Sequence, residues 1–243
     1  MQKRTTDPSS NFKFNRVLLK LSGEALAGKN GESFDEALIK NIANEIKQVC
    51  DDGVEVAVVV GGGNIIRGAN QENMDREKAD YMGMLATVIN SMSISEIFKN
   101  CDLETKVFSA VPMEVVCETY DPKSAGDALS AGKIAILGGG TGKPYVTTDT
   151  TATLRAKELN CDCVLKATKV DGVYDSDPMK NPDAVRFDKI SYDESLERGL
   201  KIMDDKAFQM AKENKIPIIV FNMFEQGNIK KVLSGEDVGT VVS

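Results

Sequence analysis

The stretch Ile134-Ala135-Ile136-Leu137-Gly138-Gly139-Gly140-Thr141-Gly142-Lys143-Pro144-Tyr145-Val146-Thr147-Thr148-Asp149 decides the fold. An apolar β-type run breaks into glycine just before a helix expected to start at Thr148. Glycine lets backbone N–H groups approach an anion closely, and a following helix adds the positive end of its dipole. The pattern is phosphate-handling architecture or a plain structural turn. Two familiar nucleotide signatures fail on it. A Walker A loop needs glycine six positions before its lysine, where Leu137 stands, and Pro144 takes the place of the Mg²⁺-binding Ser/Thr. The other glycine cluster, Gly61-Gly62-Gly63-Asn64-Ile65-Ile66, has Ile66 where a dinucleotide fingerprint has its last glycine.

Outward from this loop the chain alternates strands and helices. Residues 17–21 and 55–60 read as strands, the second apolar enough to be covered on both faces. Residues 35–52 read as a helix, with Ser33 and Glu36 as a capping box and Gly53 as the stop. Periodicity predicts a helix over 79–100 with Met82, Leu85, Ile89, Met92 and Ile97 on its buried side, the methionines filling core or a subunit contact. Strands follow at 106–110, 133–137, 163–167, 216–221 and 240–242, and helices at 124–132, 148–159, 191–199, 204–214 and 226–234. Val170-Asp171-Gly172-Val173 reads as a hairpin turn. The alternation implies βαβ units, a mainly parallel sheet and one large α/β domain over 15–243, after a disordered polar arm of residues 1–14.

Composition excludes whole classes of chemistry. The chain of 243 residues has no histidine, which removes Ser-His-Asp hydrolases and histidine-based zinc sites. With 37 acidic against 30 basic residues the net charge is -7, which argues against nucleic acid or an anionic membrane as partner. The 5 cysteines are irregularly spaced and read as buried thiols of a reducing cytosol. No apolar run approaches the ~20 residues of a spanning helix, and the first fifteen residues lack a signal-peptide core. A cytoplasmic protein is expected.

Parallel α/β sheets bind ligands beyond the carboxyl ends of their strands. Lys20, Ser22 and Gly23, then residues 61–67, then residues 138–149 all follow strands in this reading. Lys20 interrupts an apolar strand, where an ammonium either snorkels at an edge or meets an anion. Arg67 is a surface arginine or a planar phosphate clamp. Asp149, in a first helical turn, is favoured by the dipole, and beside a phosphate it can hold Lys20 or take part in Mg²⁺ binding. Asp80 is a helix cap or an acceptor for two ribose hydroxyls.

The blocks Lys20-Leu21-Ser22-Gly23-Glu24-Ala25-Leu26, Gly61-Gly62-Gly63-Asn64-x-x-Arg67-Gly68, Asp80-x-Met82-Gly83-Met84-Leu85-Ala86-Thr87, Gly140-Thr141-Gly142, Thr147-Thr148-Asp149 and residues 166–173 closely resemble the bacterial uridylate kinases of the amino-acid kinase superfamily. The resemblance runs from about residue 16 to residue 242. It implies a three-layer α/β sandwich, with an acceptor-binding N-terminal part and an ATP-binding C-terminal part. It also implies the conversion of ATP and UMP to ADP and UDP in pyrimidine nucleotide biosynthesis, by a homohexamer using Mg²⁺ bound mainly through ATP phosphates. Lys20, Leu21, Ser22, Gly23, Gly63 and Arg67 would then serve the ATP phosphates, and Thr168, Tyr174 and Asp177 its nucleoside end. UMP would be held by Gly62, Asp80, Thr141, Gly142, Lys143, Pro144, Tyr145, Val146, Thr147 and Thr148. Lys20, Arg67 and Asp149 would form the catalytic set, with no dedicated metal site. An effector region near residues 28–33 would underlie GTP activation and UTP inhibition. Lys143 stands where relatives commonly have asparagine, and Val146 where they often have phenylalanine.

The missing histidine suits this chemistry. A nucleoside monophosphate, with a second phosphate pKa of about 6, is largely dianionic at neutral pH and needs no general base. Two other readings are a superfamily kinase acting on an amino-acid carboxylate, and a non-catalytic anion storage protein, since molybdenum storage proteins resemble this family. Lys20, Arg67 and Asp149 speak for catalysis, and Asp80 with residues 141–148 for a nucleotide acceptor.

Overall fold

The computed structural model describes residues 12–28, 33–66 and 74–243. Its first half contains β1 (Arg16–Leu21), α1 (Gly23–Leu26), α2 (Glu36–Asp51), β2 (Glu55–Val60), α3 (Arg76–Lys99), β3 (Thr105–Ser109), β4 (Glu118–Thr119), α4 (Pro122–Ser130) and β5 (Ile134–Gly138). Then come α5 (Thr148–Glu158), β6 (Cys163–Thr168), β7 (Val173–Tyr174), β8 (Arg186–Phe187), β9 (Lys189–Ile190) and α6 (Tyr192–Glu197). The chain closes with α7 (Asp205–Asn214), β10 (Ile218–Asn222), α8 (Asn228–Ser234) and β11 (Thr240–Val242). The main sheet has nine strands in the order β4-β3-β5-β2-β1-β6-β10-β11-β9, parallel throughout except for β10 against β11. Strands β7 and β8 form a separate antiparallel ribbon.

The order puts β1 at the junction of two halves: strands from residues 55–138 extend to one side and strands from residues 163–242 to the other. The carboxyl ends of β1, β2 and β6 are therefore neighbours at the point where the strand order reverses. A crevice for ligands opens at such a point.

Period-two alternation assigns each strand residue to one of two cores. Val17, Leu19 and Leu21 pack on the side of α2 and α8, with Val56, Val58, Leu165 and Phe221. Leu18, Val59, Val164 and Val220 pack on the opposite side, with Ala152 of α5 and Phe208 of α7. These strand side chains are at most 4 % exposed, and each contributes roughly 1.5–3 kcal/mol by leaving water. Lys20 and Lys166 lie two residues beyond Leu18 and Val164, so they share the α5 side.

The parallel sheet expected from the sequence is present, with four local corrections. Asp35, whose carboxylate accepts from Leu38 N–H, caps α2 in place of Ser33. Helix α3 begins earlier than expected, with Asp75 as cap, which leaves Asp80 inside the helix. The Asp171-Gly172 pair makes no hairpin between 170 and 173, because β7 pairs with the distant β8. Glycine is needed there for close approach: a Cβ on Gly172 would lie 2.5 Å from Thr240 Oγ1. The fourth correction concerns the face that α3 buries. Only Ile97 of the five expected apolar residues is buried, and Leu85, Ile89 and Met92 are 44, 51 and 45 % exposed. The buried face is instead Ala79, Met84, Ala86, Thr87, Val88, Asn90, Ser91, Ile94, Ser95, Ile97 and Phe98.

All 5 cysteines are free, Cys161 and Cys163 being buried and the other three half-buried. Residues 1–11 of the expected arm lie outside the described residues. Phe12 and Phe14 are buried beside α8, and Lys13 N–H donates to the Leu233 carbonyl, so ordered structure starts before residue 15.

Candidate active site

Parallel pairing of β1 with β6 places Lys20 directly opposite Lys166. Between them projects Asp149, from the first turn of α5. Lys20 Nζ is 2.9 Å from Asp149 Oδ1, and Lys166 Nζ is 2.9 Å from Asp149 Oδ2. Lys166 also donates to the Ile202 carbonyl. Two ammonium groups thus share one carboxylate at side-chain exposures of 11, 15 and 17 % for Lys20, Lys166 and Asp149. Burial pushes the Asp149 carboxyl up, and the two lysines outweigh it and hold it below the ordinary carboxylate range. Burial, with the repulsion of Lys20, takes Lys166 below the ordinary lysine value against the attraction of Asp149 and Asp204. The centre is ready to receive an anion.

Backbone loops complete it. A Cβ on Gly23 would fall 2.4 Å from Gly63 N, so the turn after β1 and the turn after β2 touch main chain to main chain. Buried Asn90 holds the second turn from α3, donating to the Gly61 carbonyl (2.6 Å) and to Asn64 Oδ1 (2.7 Å). Thr87 does the same for the third loop, its hydroxyl accepting from Gly139 N–H at 2.8 Å. Gly139 and Gly140 have φ of 72° and 58°, a left-handed pair that few other residues adopt. These three polar contacts explain why α3 buries asparagine and threonine.

Beside the lysine centre lies a cavity of about 620 Å³. Its wall includes Gly62, Gly63, Asp80, Tyr145, Val146, Thr147 and Thr148 among the residues expected from sequence, and also Glu24, Arg76, Met84, Gly140 and Thr151. Thr141, Gly142, Lys143 and Pro144 form the turn that precedes Tyr145 and stay outside this wall. Asp80 joins two elements: Arg76 Nε donates to Oδ1 at 3.0 Å and Tyr145 N–H donates to Oδ2 at 2.7 Å. Tyr145 has φ of 64°, a strained conformation for an aromatic residue, and its ring is exposed.

On the other half, Thr168 ends β6 and its hydroxyl donates to the Val170 carbonyl at 2.6 Å. Tyr174 hydroxyl donates to Asp171 Oδ1 at 2.6 Å, and Asp177 accepts from Met179 N–H at 3.0 Å. Ser22 caps α1 by accepting from Ala25 N–H. The Leu21 side chain is fully buried on the α2 side, so only its main chain is available to a ligand. Arg67 lies outside the described residues, as do residues 29–32 of the expected effector region.

Two charged residues around the lysine centre escaped the sequence reading. Lys166 carries the signal that marked Lys20, a lysine interrupting the apolar run Cys163-Val164-Leu165-x-Ala167. Asp204 carries only a capping signal, yet its carboxylate accepts from the hydroxyls of Thr147 and Thr150 as well as from Lys206 and Ala207 N–H. It ties the start of α5 to the start of α7.

Among the described residues no cluster of three or more His, Cys, Asp or Glu side chains can hold a metal. Asp149 Oδ1 is buried and, beyond its ion pair with Lys20, accepts no aligned hydrogen bond. That donor set fits a Mg²⁺ ion carried mainly by nucleotide phosphates, since such ions keep few protein ligands.

The amino acid kinase family matches residues 15–222 of the chain. A protein named uridylate kinase from Rickettsia bellii (strain RML369-C) is 50 % identical over 236 residues, covering 96 % of this chain and 99 % of that one. The crystal structure of UMP kinase from Bacillus anthracis superposes with a TM-score of 0.92 at 40 % identity, over 95 % of this chain and 96 % of that chain. UMP kinase from Ureaplasma parvum superposes with a TM-score of 0.90 at 34 % identity, over 94 and 98 %. With one family covering most of its length and relatives aligned almost end to end, this chain belongs to the amino acid kinase family, in its uridylate kinase branch.

Proposed function

We propose that the protein transfers the γ-phosphoryl group of ATP to UMP, giving ADP and UDP. The observation that carries this is the Lys20–Asp149–Lys166 centre, set where the two halves of the sheet meet and beside a cavity that presents Asp80. A carboxylate in that wall suits the paired hydroxyls of a ribose. It repels the free carboxylates of an acetylglutamate-like acceptor, which disfavours the amino-acid kinase alternative.

In this mechanism a phosphate oxygen of UMP attacks the γ-phosphorus in line. The bond from that phosphorus to the β–γ bridging oxygen breaks, and its electron pair leaves with ADP. No proton has to be removed from a dianionic acceptor. The obstacle is repulsion between polyanions, and Lys20 and Lys166 screen it as charge spreads over the transferring group. Asp149 fixes both ammonium groups in place. The turns at residues 22–23 and at Gly63 offer main-chain N–H donors to the donor phosphates, and Arg67 adds its planar guanidinium. Thr168, Tyr174 and Asp177 serve the nucleoside end of ATP. Gly62, Asp80 and residues 141–148 hold UMP. Asp149, together with the nucleotide phosphates, would hold Mg²⁺, and the ion would supply charge neutralisation there.

The exposed face of α3, with Tyr81, Leu85, Ile89 and Met92, is an apolar strip that a second copy can cover, consistent with a homohexamer. The resemblance to the uridylate kinases also supports inhibition by UTP and activation by GTP. No helix among the described residues is long and apolar enough to cross a membrane, and the assigned chemistry belongs in the cytoplasm. The test is ADP release with UMP, CMP, AMP and acetylglutamate as acceptors. UMP gives the highest kcat/KM; turnover of acetylglutamate alone refutes the proposal, and no acceptor-dependent ADP at all favours anion storage.

A further inference from the structure

Strands β7 and β8 form a ribbon apart from the main sheet, and this ribbon carries Tyr174 and leads on to Asp177. Val173 stands opposite Phe187, and Tyr174 opposite Arg186. Side chains alternate along a strand, so Val173 and Phe187 turn into the core on the α5 side while Tyr174 and Arg186 turn away from it. On that outer face the Tyr174 hydroxyl meets Asp171, and Arg186 lies 3.5 Å from Asp171 Oδ2 and 3.2 Å from Asp188 Oδ1. The placement of Tyr174 therefore depends on how Val173 is docked.

A two-stranded ribbon is marginal by itself and needs an external hold. Strand β8 has one in its chain, which runs on into β9 and so into pairing with β11. Strand β7 has no strand partner besides β8 among the described residues, and its first residue is held instead by a side chain. Thr240, fully buried at the head of β11, accepts from Val173 N–H at 2.8 Å and donates to the Phe187 carbonyl. One hydroxyl thus spends its proton on one strand of the ribbon and a lone pair on the other. Gly172 permits this close docking, since a Cβ there would also lie 2.8 Å from Arg186 Cδ. Thr240 is in turn fixed opposite Val220 of β10, and β10 sets Asn222 opposite Thr168 at the end of β6. The hydroxyl links the ribbon to the strand ends beside Thr168.

We propose that Thr240 is a positioning residue for the donor nucleoside: its buried hydroxyl docks β7 and β8 on the sheet, so that Tyr174 and Asp177 stand beside Thr168 as one nucleoside-binding wall. The inference rests on the assignment of Thr168, Tyr174 and Asp177 to the nucleoside end of ATP and adds the residue that brings them together.

The experiment measures Kd for ATP, adenosine and inorganic tripolyphosphate by titration calorimetry, and KM for UMP by ADP release. Thr240→Val keeps the shape but takes the hydroxyl from the Val173 N–H and the Phe187 carbonyl. Kd for ATP and for adenosine then rises about tenfold, while Kd for tripolyphosphate and KM for UMP stay within about twofold. Thr240→Ser keeps the hydroxyl and brings Kd for ATP back to within about threefold of the wild type. Unchanged Kd for ATP in folded Thr240→Val overturns the role. Equal weakening of adenosine and tripolyphosphate also overturns it, as does Thr240→Ser binding as weakly as Thr240→Val, because both report a general loss of packing. If Thr240→Val does not fold, Gly172→Ala decides: its methyl pushes the ribbon off Thr240, and Kd for ATP rises while that for tripolyphosphate stays. Equal changes in both, or none, overturn the proposal. A wild type that binds tripolyphosphate as tightly as ATP refutes the nucleoside assignment itself, whereas a wild type that prefers ATP but shows no split in the variants refutes Thr240 alone.

Discussion

The lysine centre and the acceptor wall are built on opposite plans. Lys20 and Lys166 are fixed by strand register and Asp149 by a helix start, so sheet hydrogen bonds set the reacting geometry. The acceptor wall hangs on a loop with three left-handed glycines and a left-handed Tyr145, tied down by single contacts from Asp80, Thr87 and Arg155. In the proposed mechanism, reaction chemistry rests on the rigid part, and acceptor choice on the part that can vary without disturbing the sheet.

The sharpest way to break this contrast is at Lys20. Lys20→Ala removes one ammonium while Lys166 still pairs with Asp149, so the fold persists and kcat falls about a hundredfold, or roughly 3 kcal/mol, as when one donor to a developing negative charge is lost. A folded variant with near-normal kcat removes Lys20 from the catalytic set. On the other region, Asp80→Asn loses a charged acceptor worth about 1.5–3 kcal/mol, so KM for UMP rises more than KM for ATP. If the wild type uses 2′-deoxy-UMP as well as UMP, the ribose role of Asp80 fails.

A pH profile sharpens the comparison with a smaller effect. Lys166 has a pKa below the ordinary lysine value, so as pH rises it loses its proton before a surface lysine does, and kcat falls along an alkaline limb. Lys166→Arg cannot titrate in that range, and its limb moves to higher pH. An unmoved limb assigns it to another group. The smallest expected effect on the fold is at Met92, outside both regions. Because it is 45 % exposed, Met92→Arg changes monomer stability by no more than about 0.5 kcal/mol but splits the proposed homohexamer, a change that light scattering reads. Unfolding of the monomer, or a wild type that is already monomeric at micromolar concentration, contradicts an intersubunit role for α3.

What was legible in the sequence follows the same division. The parallel sheet was readable because its strands are apolar runs covered on both faces, and Lys20 stood out as a charge inside one. Lys166 showed the same interruption, and only pairing with β1 reveals that the two lysines converge. The burial of α3 was misread because amphipathic periodicity assumes that the apolar face turns inward. Here Asn90 and Thr87 turn inward, as they serve glycine loops that sequence spacing does not connect to them. Asp80 reads from sequence as a cap or an acceptor, while its tie to Tyr145 spans 65 residues and depends on a left-handed turn without glycine at that position. Thr240 gave no signal at all, being one more β-branched residue of a closing strand.

The most direct test of the central claim compares Lys166→Met and Asp80→Asn in one coupled ADP-release assay with UMP. If the rigid centre performs transfer and the loop wall selects the acceptor, Lys166→Met lowers kcat about a hundredfold with KM for UMP nearly unchanged, and Asp80→Asn raises that KM with kcat largely kept. If both variants change the same parameter by similar factors, the two regions do not divide the work and the account is contradicted.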